Sequence, residues 1–199
     1  GGKEYKVTSV AYKAFMDSSV TGVTLPETVK IIGESAFRDS LITSFVMPDS
    51  VTEIGMYSFS GTSSMESVTV SSNLAKISAS AFSQSGITAL KLPEGVKEIG
   101  ENAFNMCASL QKIELPASLV NIGKQAFWSA EALRTVTIAD GSKLENISDI
   151  AFQWCSTLKS INLPSGLKTI GENAFANCTS LTDIGLGTDS KLEDLGAGA

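Results

Sequence analysis

Histidine is absent from the 199 residues, and cysteine (three), proline (five), tryptophan (two) and aromatic side chains as a whole (7%) are sparse. Without histidine there is no imidazole for a catalytic triad, for a metal site or for general-base catalysis near neutral pH. The cysteines, Cys107, Cys155 and Cys178, have no C-x-x-C spacing, which removes the usual thiolate metal site. No apolar run approaches the roughly 18–20 residues that span a bilayer. The opening, Gly1 to Val10, lacks the basic-then-apolar layout of a signal peptide. Its Gly1-Gly2 start reads as a trimmed end, leaving room for a leader or anchor outside these residues. Basic residues are outnumbered 15 to 21, and a net charge of −6 opposes contact with a phosphate backbone. Neither nucleic acid nor membrane insertion of this chain is expected, nor is an enzyme or a cofactor. What is present is 43% hydrophobic content, enough for a sizeable core.

That content is periodic. An Ala-Phe or Ser-Phe dipeptide recurs with its Phe at 15, 37, 59, 82, 104, 127, 152 and 175, in steps of 22, 22, 23, 22, 23, 25 and 23. Five residues before each Phe stands Val10 or an isoleucine, from Ile32 to Ile170. Three residues after it stands a small side chain, a slot that takes in all three cysteines. Between successive units an alternating stretch such as Ile113-Glu114-Leu115 reads as a strand, ended by Pro26, Pro48, Pro93, Pro116 or Pro164. Gly33, Gly55, Gly100, Gly123 and Gly171 share one position, where a positive φ or a close backbone approach is required. Glu-Asn-Ala-Phe-x-x-Cys is compatible with a helical or 3₁₀ turn, and Glu34, Glu101 and Glu172 fit the start of such a turn. The expected unit is strand, corner, short strand, helical turn. About eight turns and a truncated ninth then form one domain over residues 1–199, expected to belong to a longer array.

The motif Leu92-Pro93-x-x-Val96-x-x-Ile99-Gly100-x-x-Ala103-Phe104-x-x-Cys107-x-x-Leu110-x-x-Ile113-x-Leu115-Pro116 resembles the BspA-like leucine-rich repeats of bacterial and protozoan surface proteins. The resemblance implies an α/β repeat fold, a right-handed leucine-rich-repeat solenoid with a parallel β-sheet on its concave face. It also implies secretion or display on a cell surface, and adhesion to a protein or glycan on another surface. Departures are Ser71, Ala139 and Gly187 where proline is expected, and two-residue insertions at 140–143 and 188–191, which predict wider corners.

In such a solenoid the outward strand positions line the face that meets a partner. Lys91, Lys112, Glu114, Thr135, Thr137, Ser160, Asn162 and Asp183 are the candidates. The two outward columns are small and polar and carry no Trp, Tyr or Arg, the residues that dominate binding hot spots. Trp128 and Trp154 are candidates for a separate aromatic patch on the turn side, with packing between turns as the alternative. The expected job is an extracellular binding or adhesion module; the alternative is a passive spacer that presents another domain.

Overall fold

The computed structural model describes residues 6–187 and 189–199. From Ser44–Val46 to Ser160–Leu163 the alternating segments form the expected strands, with one face of each pointing into the core. Lys112–Leu115 pairs in parallel with Ala89–Lys91 on one side and Thr135–Ile138 on the other, residue against residue at the repeat spacing. Ser44–Val46 pairs with Ser67–Thr69, and Ser160–Leu163 with Asp183–Leu186, so this strand face consists of three hydrogen-bonded blocks. Two-residue strands ending in the Val/Ile column make a second parallel ladder. It runs from Ser9–Val10 to Glu53–Ile54 and again from Lys76–Ile77 to Asp194–Leu195. The first inward pair, Val23 and Leu25, is half-buried and outside any strand, and the last, Ile184 and Leu186, is exposed.

The predicted helical turns are not there: among the described residues no segment is helical. The second residue before each Phe and the second after it have positive φ instead. In the fifth turn these are Asn102 (φ 56) and Met106 (φ 55), flanking Phe104. The consequence is an alternation of hydrogen bonds. The N–H groups of Asn102, Phe104 and Met106 donate to the next turn, at Lys124, Ala126 and Trp128 (2.9, 2.8 and 2.7 Å). Those of Ala103, Asn105 and Cys107 close four-residue turns onto Gly100, Asn102 and Phe104 (3.3, 3.1 and 3.3 Å). A helix keeps all its N–H groups to itself and is about 10 Å across, too wide to stack at a repeat of about 5 Å. This segment gives every second N–H to its neighbour and stacks at that repeat. The acids Glu34, Glu101 and Glu172 therefore do not meet a helix terminus; each is exposed in the first of these tight turns.

The Phe rings follow the backbone. Successive rings lie 4.9–5.5 Å apart with planes within 9° of parallel, an offset stack from Phe15 to Phe175. The six rings from Phe37 to Phe152 are fully buried. Behind the stack, Cys107, Cys155 and Cys178 donate their Sγ hydrogens to the carbonyls of Phe82, Phe127 and Phe152, each in the preceding turn (3.0, 3.2 and 3.1 Å). All three are buried free thiols, and burial pushes Cys107 and Cys178 up to about 11.

Of the two requirements for the glycine column, close approach is the operative one. None of the five has positive φ. A Cβ on Gly123 would sit 2.8 Å from the Glu101 nitrogen and the Ile99 oxygen of the turn below. Where Ser78 replaces glycine, its hydroxyl donates to the Ile54 carbonyl at 2.6 Å, and the second ladder is interrupted at that level. The proline corner has a substitute too. At Ser71, the Asp49 carboxylate accepts from the Ser72 N–H and hydroxyl (3.0 and 2.8 Å), and these bonds hold Asp49 below the usual carboxylate range.

Candidate functional site

From Lys91 to Asn162 each candidate strand-face residue points away from the core because its strand neighbours point in, while Asp183 lies on a last strand whose two faces are both open. Lys91, Glu114 and Thr137 stand side by side in register across three strands, with Lys112 beside Thr135 in the parallel column. Ser160 stands beside Asp183 in the last block. All are exposed except Glu114, which is half-buried between two lysines. Lys112 Nζ meets Glu114 Oε1 at 2.7 Å, and Lys91 Nζ approaches Oε2 at 3.9 Å. The Lys112 hydrogen bond and charge, helped by Lys91, hold the Glu114 carboxyl below its ordinary value. Beside this trio is a shallow hollow of about 240 Å³ lined by Lys91, Glu94, Glu114 and Thr137. The trio is thus a fixed pattern of two cations about one anion on a rigid sheet, suited to hydrogen bonding and charge pairing with a partner surface. Among the described residues no group of three acidic or cysteine side chains converges to hold a metal ion.

The two tryptophans lie in different columns. Trp128 is half-buried, and its Nε1 donates to Gln153 Oε1 in the next turn at 3.0 Å. Trp154 occupies a positive-φ position (66°) and is 46% exposed, which directs it outward while Trp128 lies along the stack.

Arg134 escaped the sequence reading. It immediately precedes the strand Thr135–Ile138 and so reads as a turn residue, yet it is exposed at the edge of the strand face. It lines a cleft of about 270 Å³ between that strand and Ser160–Leu163. The only sequence signal was the long, 25-residue step from Phe127 to Phe152 that separates these turns.

The chain matches the model of the BspA-type leucine-rich repeat region over residues 4–107 and 75–198, in six copies. None of the curated proteins matches it. Among solved structures it is similar to a leucine-rich repeat protein from Treponema pallidum, with 22% identity and a TM-score of 0.68, covering 94% of this chain and 77% of that one. A leucine-rich repeat protein from Bacteroides ovatus matches with 22% identity and a TM-score of 0.57, over 97% of this chain and 68% of that one. A leucine-rich cell surface protein from Faecalibacterium prausnitzii is 31% identical with a TM-score of 0.49; the match covers 91% of this chain and 57% of the other.

Proposed function

We propose, proceeding from the fact that the chain belongs to the BspA-type leucine-rich repeat family, that it is a binding module displayed outside the cell whose strand face adheres to a protein or glycan on another surface. Leucine-rich repeat folds generally serve as protein-binding scaffolds rather than as enzymes. The observation that carries the reading is the Lys91–Glu114–Lys112 trio. Three of the four charged side chains on the outward strand positions are concentrated here, and they pair only with one another across exposed sheet. Surface ion pairs of this kind add little to folding, so their concentration here is better accounted for by a partner than by stability. Secretion or surface display is part of the proposal and comes with the family.

The test is binding of the purified chain to a panel of immobilised extracellular-matrix proteins and surface glycans. The comparison is with a variant carrying Lys91→Ala, Lys112→Ala and Glu114→Ala. We expect saturable binding to at least one panel member, weakened by about tenfold or more in the variant while its thermal unfolding is unchanged. No binding across the panel would overturn the adhesion reading for this chain and favour the spacer.

A further inference from the structure

The strand face is unpaired at two places, and at one of them, between Ser67–Thr69 and Ala89–Lys91, the Thr88 N–H still reaches Glu66 O at 3.2 Å; at the other that bond is lost as well. Elsewhere on the face, the residue just before each strand donates its N–H to the preceding turn: Gln111 to Thr88 O at 2.8 Å, Arg134 to Gln111 O at 2.9 Å, Thr182 to Lys159 O at 3.0 Å. The equivalent bond from Lys159 N–H to Arg134 O is absent, and Thr135–Ile138 and Ser160–Leu163 are not paired, although they are consecutive on the face. Next to this face the two turns are joined instead through Thr157, whose Oγ1 contacts Glu131 O at 2.6 Å and Leu133 O at 3.1 Å. The split opens at the level of the 25-residue step, where the corner insertion at 140–143 lengthens one turn relative to its neighbours.

Into this split converge groups that a structural role does not explain. Arg134 is exposed and has neither an ion pair nor a side-chain hydrogen bond among the described residues. Lys159 holds the equivalent position one turn on and is likewise exposed without an ion pair. Thr135, Thr137, Ser160 and Asn162 line the cleft with hydroxyls and an amide. The Lys159 N–H and Arg134 C=O add a backbone donor and acceptor that the neighbouring turns consume internally.

We infer that this cleft binds an acidic saccharide unit, a sugar ring bearing a carboxylate. The inference rests on the strand face being a binding surface and assigns a second locus on it. Arg134 supplies a planar fork that matches a carboxylate. Thr135, Thr137, Ser160 and Asn162 both donate and accept, as ring hydroxyls require, and Val136, Ile138 and Ile161 complete the lining with apolar surface that the C–H face of a sugar ring can cover. The volume, about 270 Å³, lies just below the range of pockets for drug-sized ligands and suits a single ring. A polypeptide strand does not fit, because adding one would need two ladder spacings, about 9.6 Å, between strands that remain neighbours.

The experiment is a titration of the ¹⁵N-labelled chain with trigalacturonate, read as amide shifts, with galactotriose as the neutral control and hexaglutamate as the acidic polypeptide. The expected result is saturable shifts centred on Arg134–Thr137 and Lys159–Asn162 with trigalacturonate. They should weaken by about tenfold with galactotriose and in Arg134→Gln. The Lys91→Ala, Lys112→Ala, Glu114→Ala variant should keep them, so failure of the protein panel and failure of this cleft are told apart. No saturable shift, an equal response to hexaglutamate at the cleft, or an unchanged response in Arg134→Gln would overturn the assignment.

Discussion

Phe104→Ala probes the element that joins the turns. Its ring is fully buried and stacked between Phe82 (5.5 Å, 3° between planes) and Phe127 (5.3 Å, 6°). Truncating a buried phenylalanine costs about 3–5 kcal/mol through lost transfer energy and residual cavity. The site has little means of collapse, because hydrogen bonds on each side fix the spacing of the flanking turns, so the upper half of that range is expected. Stacking contacts to two neighbours, each worth about 0.5–1.5 kcal/mol in general, are part of the loss. Against a typical total of 5–15 kcal/mol this is a large fraction. Urea denaturation should show the shifted midpoint, and Phe104→Leu should recover most of it by refilling volume. Hydrogen exchange tests the locality that a stacked array implies. The amides of Phe82 and Phe104, which donate to Ala103 and Ala126, should lose protection before that of Phe152, which donates to Ala174. Phe15→Ala, at a half-buried terminal ring, should cost less than Phe104→Ala. An unshifted midpoint for Phe104→Ala, or an equal loss of protection throughout, would refute the ladder as the source of cohesion between turns.

Gly123→Ala should destabilise by about 1–3 kcal/mol, since its new Cβ meets fixed backbone of the turn below rather than a side chain that can move; an unchanged melting temperature would count against close approach as the reason for the glycine column. Ser58→Ala should stabilise by about 1 kcal/mol, because its buried hydroxyl has no partner in a column otherwise filled by alanine; thermal unfolding reads the sign directly. The three thiols should be silent to a thiol reagent in the native state and react on unfolding. Burial raises the Cys107 thiol from 9.0 to about 11, so the folded state holds its proton more tightly. That contribution is complete below pH 9 and is lost as pH rises towards 11, a fall of roughly 2–3 kcal/mol. A Cys107→Ala variant showing the same decline would remove the thiol as its cause.

The fold was readable wherever one residue type recurred for one physical reason. The Phe column, the Val/Ile column and the alternating strands each report burial at a fixed phase of the repeat, and spacing alone carries that information. The small-residue slot was readable as a size limit, while the thiol-to-carbonyl bonds of Cys107, Cys155 and Cys178 depend on where the neighbouring Phe carbonyl points. The segment around Phe was misread because Glu101-Asn102-Ala103-Phe104 has acceptable helix formers, and helix propensity is a weak prior that tertiary context overrides. Asn102 and Asn173 were the available hint, as asparagine tolerates positive φ; the same position elsewhere holds Lys13, Gln125 and even β-branched Ile150, which conceals the pattern. The proposed site was half legible. Outward strand positions followed from alternation, whereas Arg134 gains its place from a failed hydrogen-bond ladder that no local motif encodes.

Loss of the helices also changes what kind of surface the strand face is. A solenoid with helices opposite its sheet must curve, because helices about 10 Å wide cannot keep step with strands about 4.8 Å apart. In this chain the Phe segment is hydrogen-bonded from turn to turn, as are the strand face within its three blocks and the second ladder within its two, and the Phe rings repeat at 4.9–5.5 Å. The turns therefore keep nearly one pitch within each block, and a face of mostly small side chains gives a partner few places to bury an anchor. Relief then comes from two sources: long charged side chains standing above the sheet, and interruptions of the ladder itself. Lys91, Lys112 and Glu114 are the first; the split beside Arg134 is the second. The two loci lie on consecutive blocks of one face, so a ligand that engages both would gain from their fixed separation without reorganising the protein.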